Sequence, residues 1–170
     1  MALCGLCAVL LWYRGIFLSP GQGKSGQWKD LTLTMTPAGD FIAVEAGEGN
    51  VVFSSEPGWR VNDFLVGDLD RDNEPELLLL VWRRGHYGPS HPFWVSQNDY
   101  SYSQHIFIYK QKNGAVQPVW MSSSLNPRVE SWSLETDGRL HILTPEGEDT
   151  LWGWETWGLE RLDASPRPLV

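Results

Sequence analysis

An acidic turn between two apolar segments is the feature that most constrains the fold of this chain. Residues 68–76 read Asp-Leu-Asp-Arg-Asp-Asn-Glu-Pro-Glu and carry carboxylates at alternate positions. Residues 61–67 before the turn and 77–82 after it have the composition of buried β-strands. Because buried strands would hold both ends of the turn, the sequence predicts an all-β domain that presents a rigid acidic turn.

The crowding of carboxylates in this turn predicts a bound calcium ion. Like charges this close repel one another unless a cation lies between them, and Ca²⁺ takes about six to eight oxygen ligands. The turn contains no Cys or His, which favours Ca²⁺ over Zn²⁺. We predict that the ligands are the carboxylates at turn positions 1, 3, 5 and 9 and the backbone carbonyl at position 7, which are Asp68, Asp70, Asp72, Glu76 and Glu74. The alternative is a solvated acidic turn without an ion.

Segment 67–72, together with Glu76 and the two flanking strands, resembles the calcium-binding FG-GAP or VCBS-type repeat of integrin-α-like β-propellers. The resemblance covers about one repeat, and it implies a propeller blade with a structural Ca²⁺ at the turn. An EF-hand would need flanking helices and a glutamate at position 12, where this chain has Leu79. Asn73 lies at the sharp bend where glycine is usual, and we expect it to adopt a left-handed conformation.

Further strand patterns follow the chain on both sides of the turn. Apolar residues alternate with threonines over 31–35, and a tight-turn signal at Lys112-Asn113-Gly114 predicts a hairpin. Other predicted strands cover 41–45, 51–53, 105–109, 116–120, 129–134, 140–144 and 151–157. Segment 49–55 also corresponds to 114–123, which indicates a repeat. The sequence thus predicts two to three propeller-like antiparallel blades over 31–162, in a partial or open array, with one calcium site.

The two ends of the chain differ from this β module. Residues 2–13 are an apolar run that holds both cysteines, and it predicts an N-terminal hydrophobic helix within a signal or membrane-anchor segment over 1–18. A buried core helix is the alternative. A linker over 19–30 and a disordered tail over 163–170 complete the predicted organisation. The protein is therefore expected to be membrane-anchored through its N-terminal segment or secreted, with the β module extracytoplasmic.

The charge of the chain limits its partners. A formal net charge of −8 and a pI of about 4.9 argue against nucleic acid, which binds basic surfaces. A protein or glycan ligand is the expected partner. The connection from Arg83 to Ser103 is long for a loop between two strands, and its aromatic residues Tyr87, Trp94 and Tyr100 are the predicted ligand-binding residues. Alternatively, this loop folds back and caps a small core.

The leading functional hypothesis is a binding or adhesion module that is stabilised by calcium. The alternative is a hydrolase of cell-surface polymers, or a fragment of a larger propeller enzyme, with Asp99, Glu74 and the loop residues His86 and His91 as acids and bases. No Gly-x-Ser-x-Gly motif is present, and no catalytic residue is assigned. The indoles flanking Gly153 near the C-terminus are expected in the core rather than stacked on sugar rings.

Overall fold

The computed structural model describes residues 22–47, 49–84, 101–126 and 128–163. Within these ranges the chain forms twelve β-strands and no helix, so the all-β prediction is confirmed. No helix there is long and apolar enough to cross a membrane. The predicted helix and anchor over 1–18, the tail from 164 onward, and the residues Tyr87, Trp94 and Tyr100 lie outside the described residues.

The strands form three antiparallel four-stranded sheets, and within each sheet neighbouring strands follow one another along the chain. The first sheet contains β1 (Lys24–Trp28), β2 (Leu31–Met35), β3 (Phe41–Glu45) and β4 (Val51–Ser54). The middle sheet contains β5 (Arg60–Gly67), β6 (Glu76–Arg84), β7 (Tyr102–Lys112) and β8 (Ala115–Met121). The third sheet contains β9 (Ser131–Leu134), β10 (Leu140–Leu143), β11 (Asp149–Glu155) and β12 (Gly158–Arg161).

Several boundaries differ from the sequence prediction, and three of the differences change the assignment of a segment. The linker predicted over 19–30 is wrong in its second half, because residues 24–28 form β1 and pair with β2. The last strand, predicted over 151–157, is two strands, since the chain reverses at Thr156 and returns as β12. The connection predicted from Arg83 to Ser103 is shorter, because these two residues pair with each other at the ends of β6 and β7.

The middle sheet lies between the other two, and its central strands β6 and β7 are buried on both faces. On β6, Leu77, Leu79 and Val81 belong to a core shared with the first sheet. The alternating residues Leu78 and Leu80 belong to a second core shared with the third sheet. The run of six apolar residues over 77–82 therefore reflects a central strand that is covered on both faces, as the sequence predicted.

Successive sheets pack with corresponding strands adjacent. The first strand of each sheet contacts the first strand of the next, as β1 does with β5 and β5 with β9, and β4 contacts β8. Both contacts between first strands require close approach, since a Cβ added at Gly26 would lie 3.0 Å from the Phe64 ring and one at Gly67 would lie 2.6 Å from Leu134. The three sheets therefore stack in the same sense along the chain.

Candidate metal centre

The acidic turn joins β5 to β6, the two strands that the middle sheet places between two cores. Arg71 and Asn73 adopt left-handed backbone conformations, with φ of 62° and 68°. The conformation predicted for Asn73 is confirmed. Two left-handed residues within a short turn fold it tightly, so that alternate side chains are directed toward one another.

Side chains of the turn also hold its own backbone. The backbone N–H groups of Asp72 and Asn73 donate to Oδ1 and Oδ2 of Asp68 at 3.0 and 2.9 Å. The N–H of Glu74 donates to Oδ1 of Asp72 at 2.9 Å. Such bonds from a carboxylate to the backbone two to five residues onward are the usual way in which Asp stabilises turns.

Glu76 is the buried anchor of the turn. Only 1% of its surface is exposed. Its Oε2 accepts hydrogen bonds from the backbone N–H groups of Leu69 at 2.7 Å and Asp70 at 3.4 Å. Burial raises the pKa of the Glu76 carboxyl group, and the bond from Leu69 opposes this shift. A charged carboxylate at this position therefore needs a nearby cation.

Three carboxylates of the turn come together. Asp68, Asp70 and Glu76 each offer an oxygen, and these oxygens lie within 4.8 Å of one another. Among the described residues, the buried Oδ1 of Asp70 has no hydrogen-bond partner, and the buried Oε1 of Glu76 has an ion-pair contact with a lysine at 3.1 Å. An all-oxygen donor set that includes a buried oxygen without a hydrogen bond suits a hard divalent cation. These side chains thus fit the predicted ion.

The structure adds Lys110, which sequence reasoning missed. Its Nζ lies 2.7 Å from Oδ2 of Asp70 and 3.1 Å from Oε1 of Glu76, and it also contacts Oδ2 of Asp72. Burial alone would lower the pKa of Lys110, but its contacts with these three carboxylates outweigh burial and raise it. The bond from Lys110 lowers the pKa of Asp72. An ammonium group is therefore part of the cluster.

The register of β6 and β7 brings Lys110 to the turn. Leu77 lies opposite Tyr109, so the next residues outward, Glu76 and Lys110, are brought together. Lys110 directly follows the apolar residues of β7, and this abrupt change of polarity was the available signal. It could not be used without knowing which residue of β6 lies opposite.

The remaining predicted ligand, Glu74, is arranged differently. Its carboxylate is exposed and pairs with Lys29 in the turn between β1 and β2. The side chain is therefore directed away from the cluster, and only the backbone carbonyl, which is the group the sequence analysis assigned, remains a candidate ligand. The nearby carbonyl of Pro75 accepts a 2.7 Å bond from the indole of Trp28, so the first sheet also supports the turn.

The corresponding turn of the third sheet lies against the acidic turn. It joins β9 to β10, as the acidic turn joins β5 to β6. Its Asp137 pairs with Arg139 at 2.6 Å. Among the described residues, Asp68, Asp70 and Glu76 are the one group of three metal-ligating side chains this close together.

The base of the predicted recognition loop is aromatic. At the ends of β6 and β7, the rings of Trp82 and Tyr102 stack with centroids 5.5 Å apart. The indole nitrogen of Trp82 and the Nε of Arg83 are buried there and have no hydrogen-bond partner within the described part of the chain. The Arg83 guanidinium lies over the Phe107 ring, 5.4 Å from its centroid. The chain thus enters this loop from a packed aromatic base.

The structure also places the residues of two other sequence interpretations. Trp152 and Trp154 are partly buried and pack against the core shared by the middle and third sheets, so the core interpretation of these indoles is confirmed. Of the acids and bases considered for a hydrolase, Glu74 is paired with Lys29, while Asp99, His86 and His91 lie outside the described residues.

Comparisons with protein-family models, with curated proteins and with solved structures find no match to this chain. The resemblance to the FG-GAP or VCBS-type repeat therefore rests on the residues of the acidic turn and its flanking strands. It stays a prediction.

Proposed function

We propose that the acidic turn binds Ca²⁺ and that the ion stabilises the β module. The ligands in this proposal are the carboxylates of Asp68, Asp70, Asp72 and Glu76 and the backbone carbonyl of Glu74. The observation that carries it is the buried Oδ1 of Asp70, which has no hydrogen-bond partner among the described residues and lies in the same cluster as the buried carboxylate of Glu76. Leaving a buried carboxylate oxygen without a partner is unfavourable, and a bound cation would satisfy it.

Thermal melting with and without calcium tests this proposal. An ion that binds only the folded protein stabilises it by mass action, by about 2.7 kcal/mol at 100 times the Kd. We expect chelation to lower the Tm of the full chain and Asp70→Asn to remove that difference. Asp137→Asn is the matched control, because it removes an exposed carboxylate from the corresponding turn of the third sheet. A wild-type Tm that is identical with calcium and with chelator would refute calcium binding.

We further propose that the three sheets are propeller-like blades in an open array. In support, each sheet is a four-stranded antiparallel meander, and the sheets follow one another along the chain. Corresponding strands of successive sheets are adjacent. The segments proposed as repeats, 49–55 and 114–123, also occupy equivalent positions. They contain β4 and β8, which are the last strands of the first and middle sheets. A solution-scattering profile that fits a compact single sandwich better than stacked sheets would contradict this arrangement.

In our proposal the module acts in binding or adhesion toward a protein or glycan, through Tyr87, Trp94 and Tyr100. The support is the composition of their segment and the stacked pair Trp82 and Tyr102 at its base. Aromatic residues of this kind often carry most of the energy of a binding patch.

Replacement of Trp94 by Ala tests the recognition role. Lost binding in a glycan and protein array, with unchanged Tm, is the expected result. The control is Trp157→Ala, which removes an indole that is 73% exposed on the third sheet. If Trp94→Ala instead lowers the free energy of unfolding by more than about 3 kcal/mol, the size expected for a buried tryptophan, this residue belongs to the core.

We also propose that residues 1–18 direct the chain to the membrane or out of the cell. Millimolar calcium outside cells would occupy even a weak site. Protease treatment of intact cells that express the full chain checks this. Digestion of the β module supports the proposal, and its protection until the cells are lysed contradicts it.

A further inference from the structure

We infer that Lys110 and the divalent cation compete for the same carboxylate oxygens, so that Lys110 sets a weak affinity for the ion and holds the turn together without it. This inference rests on the proposed calcium binding and concerns how that site is regulated. It is independent of any ligand of the β module.

The Lys110 ammonium group already occupies the space between the candidate ligands. It contacts Asp70, Asp72 and Glu76, which are three of the four carboxylates assigned to the ion. The Lys110 side chain is only 13% exposed, so this arrangement is partly shielded from water. The ammonium therefore serves these carboxylates as an internal counter-ion.

Lys110 and the ion exclude each other at these oxygens. Calcium binds its oxygens at about 2.3 to 2.6 Å. An ammonium group that stayed 2.7 Å from Asp70 and 3.1 Å from Glu76 would then lie next to a doubly charged cation and be repelled. The lysine stem is flexible, so its Nζ can turn outward to solvent while the backbone of β7 stays in place.

Lys110 neutralises only part of the negative charge of the turn. One ammonium against four carboxylates leaves three negative charges at the turn, which still attract a divalent cation. The net free energy of calcium binding is therefore the free energy of the ion's own contacts less that of the contacts that Lys110 loses. The exchange thus weakens calcium binding and, at the same time, limits the loss of stability when calcium is removed.

Replacement of Lys110 by Met tests the competition in the full chain. Met keeps the length and most of the volume of the side chain and removes its charge. We expect calcium titration by calorimetry to show at least a tenfold tighter Kd than in wild type, which is about 1.4 kcal/mol. We also expect the Tm in chelator to fall below that of wild type, because the carboxylates lose their counter-ion.

Two further variants make this result specific. Lys112→Met is the matched control, since Lys112 is exposed at the end of the same strand and its loss changes the net charge equally. It should leave both the Kd and the Tm in chelator near the wild-type values. Lys110→Gln provides a polar replacement in case the Met variant does not fold.

The outcomes test the competition by Lys110 and the proposed calcium site separately. If wild type and Lys110→Met bind calcium with equal Kd, the competition is wrong and calcium binding stands. If neither Lys110→Met nor wild type binds calcium, the proposed calcium site itself is wrong. If only the Lys110 variants bind calcium, competition is supported, and Lys110 is then the resident cation of the native turn.

Discussion

At the scale of single residues, the acidic turn depends on a glycine from another sheet. Gly138, in the turn between β9 and β10, has a φ of 80°. A Cβ added there would lie 2.9 Å from the carbonyl oxygen of Leu69 and 3.1 Å from that of Asp68. Real Cβ atoms do not approach backbone so closely, so a side chain at this position would displace the acidic turn.

Gly138→Ala should therefore be more harmful than the same change at a similar glycine. Gly147 has a φ of 83° in the turn between β10 and β11, and apart from its chain neighbours no described residue lies within 4 Å of its added Cβ. Both variants carry the strain of a left-handed alanine, but only Gly138→Ala adds a clash. We expect it to lose about 1 to 3 kcal/mol more in the free energy of unfolding, measured by urea denaturation. Equal losses would mean that the two turns do not support each other.

A second residue-scale prediction concerns pH. His105 on β7 is buried, with Nδ1 3.1 Å from the carbonyl oxygen of Ser122 and Nε2 3.0 Å from the hydroxyl of Ser103. Burial, and then the nearby charge of Arg83, lower the pKa of His105 below its usual 6.5. The unfolded chain therefore binds a proton at a higher pH than the folded chain does.

This stabilisation should be present above about pH 6.5 and be lost as the pH falls through the lowered pKa. We expect the free energy of unfolding of wild type to decrease over that range. The His105→Gln variant should show a smaller decrease, because it removes the titrating group. Urea denaturation of both proteins at pH 7.5 and at pH 5 provides the measurement. Identical slopes would show that His105 does not contribute.

At the scale of elements, β1 is the strand that the sequence analysis assigned to a linker. Its side chains alternate between exposed and less exposed up to Trp28, which is fully buried in the core shared with the middle sheet. The Trp28 indole also donates to the Pro75 carbonyl at 2.7 Å. This strand therefore connects the first sheet to the acidic turn.

Trp28→Ala should lower the free energy of unfolding by about 3 to 5 kcal/mol, since it removes a fully buried indole and a hydrogen bond. A linker residue would tolerate the change. Trp157→Ala serves as the control, because its indole is 73% exposed. Chemical denaturation of the two variants gives the comparison. Similar small losses in both would contradict the assignment of β1 to the core.

At the scale of the whole molecule, stability should be highest in the middle. Sheets one and three each bury one face against the middle sheet, and β6 lies inside that sheet between β5 and β7. Its residues 76–82 are all buried. In contrast, β4 and β12 end their sheets, and half of the residues of β4 are exposed.

Hydrogen exchange should follow this order. Amides in the centre of a covered sheet open only with the largest unfolding events, whereas terminal strands open locally. We expect amides of β6 and β7 to exchange most slowly and those of β4 and β12 fastest, as measured by mass spectrometry of deuterated peptides. Equal protection in all three sheets would indicate that the molecule opens as one cooperative unit.

The sequence by itself determined the features that depend on neighbouring residues. Alternation over 31–35 predicted β2, and the Asn113-Gly114 pair predicted the hairpin, where both residues have positive φ. The spacing of carboxylates predicted an acidic turn between two buried strands. Local pattern suffices in these cases because side-chain alternation and turn conformation are set within a few residues.

Only the tertiary structure decided which distant residues complete the turn. Lys110 reaches Glu76 through the register of β6 and β7, and Gly138 reaches the turn through the packing of the third sheet. Likewise, β1 is a strand because the middle sheet covers Trp28, although its segment contains glycine, serine and lysine. Register and packing depend on contacts between residues far apart in the chain, and a single sequence does not specify those pairings through local periodicity.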